Sequence, residues 1–138
     1  MIQNRKGITL IELLMVLSVM SIIVVLSFSV YIFGMKSFTL QSTNVENQSN
    51  VRYATSYITK EIRKAESVEV LGNILTINGT DEYKLVDNII WRNSNELVTG
   101  IEHFNMSKSG NKISLEIISL SNSDGCFSSL SSKIYIRE

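Results

Sequence analysis

The stretch NRKGITLIELLMVLSVMSIIVVL, residues 4–26, decides the reading of the chain. Two basic residues, Arg5 and Lys6, lead through Gly7 into an apolar run that continues to Phe33. A helix needs ~20 apolar residues to cross the hydrocarbon core of a bilayer, so residues 8–33 are long enough to span it. The basic flank places the N-terminus on the cytoplasmic side, and Tyr31 and Phe33 suit the far interface. A secretory signal has a shorter apolar region of ~7–15 residues and a small-residue cleavage site. The sequence FGMKSF after the run offers no such site. A plain anchor accounts for the length and the flank. It does not account for Glu12, a carboxylate inside the apolar run, which is costly in a membrane and points to a functional partner.

The 138 residues carry a formal net charge of +0. Once the apolar run is set aside, the remainder is polar and rich in Ser, Asn, Lys and Glu, enough for one modest core. The neutral balance gives no electrostatic reason to expect nucleic acid as a partner. Cys126 is the single cysteine, so no intrachain disulfide forms. With no activating base nearby it reads as a loop or partly buried thiol. The absence of proline leaves long helices and strands without that interruption.

Arg5-Lys6-Gly7 followed by Ile8-Thr9-Leu10-Ile11-Glu12-Leu13-Leu14 resembles the N-terminus of type IV prepilins and pseudopilins. The resemblance implies cleavage after Gly7 by a membrane-embedded prepilin peptidase and methylation of the new N-terminus at Ile8. It also implies an assembly role for Glu12, the fifth residue of the mature chain. Two features depart from the family pattern. Ile8 stands where phenylalanine is most common, and the helix-kinking proline is absent, with Ser27 and Ser29 in that region.

Helical periodicity weakens through TLQSTNVENQSN, residues 39–50, which reads either as exposed helix or as a break. It returns with Val51, Ala54, Ile58, Ile62 and Ala65 on one face. From Val68 the period changes to two. Ile74–Ile77, Asn78-Gly79 and Tyr83–Val86 read as a hairpin, because Asn-Gly favours primed turns. Asp87-Asn88 turns the chain into Ile89–Trp91. Leu97–Met106 reads as one strand, then Ser109-Gly110-Asn111 leads into Ile113–Ile117. The serine-rich stretch Ser119–Ser132 reads as a loop, before a last short strand at Ile134 and Ile136. Short connections between consecutive strands imply an antiparallel sheet covered by the apolar helix face.

The expected fold is therefore α+β, a long N-terminal helix whose C-terminal half packs on a small antiparallel sheet. The expected divisions are a leader at 1–7, a membrane or filament-core helix at 8–33, its extracytoplasmic continuation at 34–66 and a sheet domain at 67–138. Within the resemblance, Ser56–Ala65 and the stretch ELVTGIEHFNMS, residues 96–107, are similar to W-type minor pilins and J-type minor pseudopilins. The chain equally resembles competence-pilus minor pilins of Gram-positive bacteria, toward which its Ile-, Asn- and Lys-rich composition and lone cysteine lean.

No catalytic constellation is legible. His103 is the only histidine and has no second ligand in sequence. Asp81-Glu82 and Asp124-Gly125 lack the spacing of a calcium loop. No phosphate-binding loop, nucleophile elbow or zinc pattern occurs. No metal, cofactor or enzymatic activity is expected. The resemblance implies as partners the prepilin peptidase, other major and minor pilins, a membrane assembly platform, and membrane lipid before assembly. It implies residence in the cytoplasmic membrane, then in a pilus at the cell surface. The rival expectation is an uncleaved single-span protein with an extracytoplasmic binding or sensing domain.

Overall fold

The computed structural model describes residues 8–136. One helix, α1, runs Leu10–Lys64. Eight strands follow: β1 Val68–Leu71, β2 Ile74–Ile77, β3 Asp81–Val86, β4 Ile89–Arg92, β5 Asn95–Thr99, β6 Ile101–Ser109, β7 Lys112–Ser119 and β8 Ser129–Tyr135. The α+β class with an antiparallel arrangement is as expected. The chain divides between Thr39 and Leu40 into two units.

In the unit from Leu40 onward, the strands form two sheets rather than one. The first has the order β1-β2-β3-β4-β5 and the second β6-β7-β8, each a simple antiparallel meander. The division falls at Gly100, inside the stretch Leu97–Met106 that the sequence presents as one strand. Gly100 has φ +74, a left-handed conformation that turns the chain out of the first sheet. Its carbonyl accepts from the Leu120 amide at 2.8 Å, and the Ile101 amide donates to the Asn88 carbonyl at 3.0 Å. These bonds satisfy the Gly100 carbonyl and the Ile101 amide at the junction.

The turns obey their residues. Asn78 and Gly79 both have positive φ, so the primed turn forms where the sequence places it, and Asp87 and Asn88 have positive φ too, which makes that turn a primed one as well. Asn78 does more than turn. Its Oδ1 accepts from the Glu66 and Ser67 amides at 2.9 and 3.1 Å, fastening the exit of α1 to the first hairpin.

The core is the meeting of one helix face with both sheets. Val51, Ala54, Ile58 and Ile62 on α1 are buried together with Leu75, Tyr83 and Ile90 of the first sheet. Phe104, Ile113, Leu115, Ile117 and Ile134 close it from the second. Residues 39–50 are helical. Their apolar periodicity is weak because their contacts are polar. Asn47 Nδ2 donates to the Leu120 carbonyl at 2.9 Å, Asn50 Nδ2 to the Thr99 carbonyl at 3.3 Å, and Asn122 Nδ2 to Asn44 Oδ1 at 2.8 Å.

Most of the serine-rich stretch is the loop its composition suggests, but both ends are strand. Ser119 is buried at the end of β7, and Ser129–Ser132 belong to β8. Only residues 120–128 connect the two. Asn122 Oδ1 organises that turn by accepting from the Asp124 and Cys126 amides, each at 2.9 Å.

Candidate assembly segment and its processing signal

The N-terminal part of α1 is apolar on every side. Leu10, Ile23 and Phe33, on different sides of the helix, are all exposed large hydrophobics. Such a surface calls for lipid or protein around it, not water. Three of the serine hydroxyls within it are satisfied internally. Ser18 donates to the Leu14 and Met15 carbonyls at 3.0 and 2.9 Å, Ser21 to Leu17 at 2.7 Å and Ser29 to Val25 at 3.0 Å. Back-bonding of this kind lets a serine sit in an apolar medium without an outside partner. By length and composition this helix can cross a membrane.

The start of the helix explains part of the chemistry of Glu12. Thr9 is the N-cap and Glu12 the third helical residue. The Glu12 amide donates to Thr9 Oγ1 at 3.4 Å. In return the Glu12 carboxylate accepts from the Thr9 amide at 3.4 Å and from the Thr9 hydroxyl at 3.3 Å. This reciprocal pair is a capping box with long contacts. It satisfies amides that the first helical turn leaves without intrahelical partners. It also gives the carboxylate hydrogen-bond donors and places it at the positive end of the helix dipole. Thr9 goes unassigned in the sequence reading, although its Thr-x-x-Glu spacing is itself a capping signal. Ile8 precedes the helix and is exposed. Gly7, Arg5 and Lys6, the remaining processing residues, lie outside the described residues.

The other polar features are structural. Arg92 Nε and Nη2 donate to the two carboxylate oxygens of Asp81 at 3.2 and 3.0 Å. Arg92 Nη1 donates to the Tyr57 hydroxyl on α1. The Arg92 side-chain bonds hold the Asp81 carboxyl below its ordinary range, and the same pairing raises the guanidinium further. Burial pushes the Tyr83 phenol up to about 12. His103 is exposed on β6 and Cys126 is exposed in the 120–128 connection. Among the described residues, no cluster of three His, Cys, Asp or Glu side chains could hold a metal ion.

An exposed apolar helix continuous with a small helix-and-sheet unit is the class of molecule these observations define. A family model, the prokaryotic N-terminal methylation motif, matches residues 2–28. That motif fits type IV pilin-like proteins and supports a prepilin-like signal. It implies processing by a prepilin peptidase and assembly with other pilins. With the apolar helix, it points to a membrane-anchored protein. Neither the curated proteins nor the solved structures provide a match.

Proposed function

We propose that this chain is a minor-pilin-like structural subunit of a type IV pilus or related filament. The peptidase removes residues 1–7 by cutting after Gly7, and Ile8 becomes the methylated N-terminus. Residues 8–33 hold the subunit in the cytoplasmic membrane with the N-terminus inside. They then enter the filament core, and the sheet domain lies outward. The observation that carries this reading is coincidence. The methylation motif at residues 2–28 overlaps a helix that is apolar all round and exposed. Glu12 provides the docking register. After cleavage the α-amine at Ile8 is a cation near neutral pH, and a carboxylate nearby, in the same or the adjacent subunit, neutralises it. Attraction is strong at low dielectric but desolvation offsets much of it, so the pair selects position more than it adds adhesion. The minor role rests on the similarity of Ser56–Ala65 and of residues 96–107 to W-type and J-type subunits.

Mass spectrometry of the mature N-terminus from native cells tests the proposal. The expected product begins at N-methylated Ile8. Recovery of intact Met1 from cells that possess the peptidase overturns it and supports an uncleaved single-span protein.

A further inference from the structure

The unit from Leu40 onward contains a groove that the assembly reading does not use. It lies between α1 and β8 and has a volume of about 560 Å³. Arg52, Lys60, Arg63 and Lys64 line it from the helix, with Leu130 and Ser131 on the strand side. No carboxylate lines it, and none of the four cations makes an ion pair among the described residues. Basic residues in a last helical turn complement the helix dipole, which accounts for Arg63 and Lys64. It does not account for Arg52 and Lys60, one or more turns earlier.

The opposite wall is an open edge. β8 is hydrogen-bonded to β7 on one side only. The β7–β8 register runs without a bulge from Ile118↔Ser129 to Lys112↔Tyr135, and no proline blunts the edge. Natural edges are usually protected by such devices or by lysines, and the one lysine of β8, Lys133, stands toward its C-terminal end and leaves Ser129–Ser132 unguarded. The depression continues past Arg52 and Leu130 to Gln48 and Phe127, and Phe127 is 60% exposed. Gln48 to Lys64 covers about 24 Å of helix at ~1.5 Å per residue. An extended chain of about seven residues has that length, and β8 itself has 7 residues.

We propose that this groove takes an acidic, extended segment of a partner protein, which adds to β8 as a further strand. The main chain of the segment pairs with the β8 edge. Its carboxylates meet Arg52, Lys60, Arg63 and Lys64, and its apolar side chains meet Leu130 and Phe127. Nucleic acid would satisfy the cations but would leave the strand edge and both apolar side chains without a role. The proposal goes beyond filament assembly through the N-terminal helix and does not depend on it.

The test uses the full chain in detergent micelles and a fluorescent heptapeptide alternating glutamate with valine or threonine. Saturable binding is expected. It should weaken at least tenfold when lysine replaces glutamate, and at least tenfold when alternate amides of the peptide are N-methylated. The double variant Arg52→Glu with Lys60→Glu should lose binding while keeping its thermal midpoint, since both side chains are exposed and neither lies in the last helical turn. If that variant unfolds, the N-methylated peptide on the unaltered chain still decides. Equal binding of the methylated and unmethylated peptides overturns strand addition. Binding of an oligothymidylate in competition with the peptide, and at least as tightly, overturns a protein partner. Absence of saturable peptide binding overturns the proposal outright.

Discussion

Arg92 on β4 grips Asp81 on β3 with two hydrogen bonds, at 3.2 and 3.0 Å. The same guanidinium also donates to Tyr57 on α1 and lies 5.9 Å from the ring centres of both Tyr57 and Tyr83. One side chain thus ties the first sheet to the helix through a fork, a hydroxyl and two aromatic faces.

Removing it should loosen that tie. Charge-assisted hydrogen bonds contribute roughly 1.5–3 kcal/mol each when protected. The Arg92 side chain is 33% exposed, so solvent screening reduces that. Arg92→Ala should cost about 1–2 kcal/mol in denaturant unfolding of the full chain in micelles. Arg92→Lys should recover less than half, because an ammonium cannot reproduce the fork. The Asp81 carboxyl is held below its ordinary value. Its contribution is therefore present above the unfolded-state pKa and is lost as pH falls through the lower folded one. In Arg92→Ala that acid-side loss should shrink. An unchanged midpoint in Arg92→Ala would show the fork to be a spectator.

Tyr83 gives the opposite pH dependence. It is fully buried, its hydroxyl makes no hydrogen bond among the described residues, and its pKa rises from 10.0 to about 12. A raised folded-state pKa gives stability that is complete below pH 10 and lost as pH climbs toward 12. The shift corresponds to about 3 kcal/mol. Tyr83→Phe should be neutral or slightly stabilising at pH 7, since an unpartnered hydroxyl leaves the core. It should also flatten the alkaline limb. Stability measured from pH 9 to 12 in both proteins checks this, and superimposable curves would refute the assignment to Tyr83.

The helix face supplies a third test. Ile58 and Ile62 are both 0% exposed within the core. Ile62→Ala should cost about 2–5 kcal/mol through lost burial and a cavity. Ile58→Asp should prevent folding of the sheet unit, because a carboxylate would be buried without a partner. Parent-like melting of both variants would mean that this face does not hold the core together.

The helix-to-strand order, the buried helix face and the Asn-Gly turn were legible because each depends on local pattern. Val51, Ala54, Ile58 and Ile62 recur at helical spacing, and Asn78-Gly79 is permissive of positive φ. The split into two sheets was not legible, because strand-forming residues stand on both sides of Gly100, Val98 and Thr99 before it and Ile101 and Phe104 after it. One glycine carried the signal, and nothing local distinguishes a sheet-switching glycine from a tolerated one. Residues 39–50 were ambiguous for a different reason. Asn44, Asn47 and Asn50 contact distant carbonyl and amide groups, and polar tertiary contacts leave no apolar period. The strand at Ser129–Ser132 was hidden by composition, since Ser129 and Ser131 are exposed along an edge and Ser132 is half-buried. At the N-terminus, Glu12 was conspicuous as a misplaced charge. The smaller signal, Thr9 three residues earlier, lay in the same motif.

Gly100 offers a check on that account. At φ +74 any side chain is strained, and an added Cβ would lie 3.7 Å from Asn50 Nδ2 and 3.9 Å from Asn47 Oδ1. There is room for a methyl group, so the cost is conformational. Gly100→Ala should destabilise by about 1 kcal/mol, and Gly100→Val by more because of its β-branching. Thermal unfolding measures both. A stabilised alanine variant would show that the junction relaxes out of the left-handed region.

The last prediction separates the two roles open to Glu12. As the third helical residue it completes a box with Thr9, at 3.4 Å in both directions. As a charge it would neutralise the α-amine created at Ile8. Glutamine can serve in a capping box nearly as well as glutamate, but it carries no charge. Alanine can do neither. If capping is the whole contribution, Glu12→Gln should assemble like the parent and only Glu12→Ala should fail. If the proposed register operates, both variants should be cleaved and inserted normally, yet both should be depleted from filaments. We expect the second pattern, with the alanine variant the more depleted because it loses the cap as well. The readout is the ratio of subunit in sheared filaments to subunit in membranes, alongside Thr9→Ala, which removes the cap hydroxyl and keeps the charge. A parent-like ratio for Glu12→Gln with a reduced ratio for Thr9→Ala would falsify the register and leave helix capping as the function of the acid.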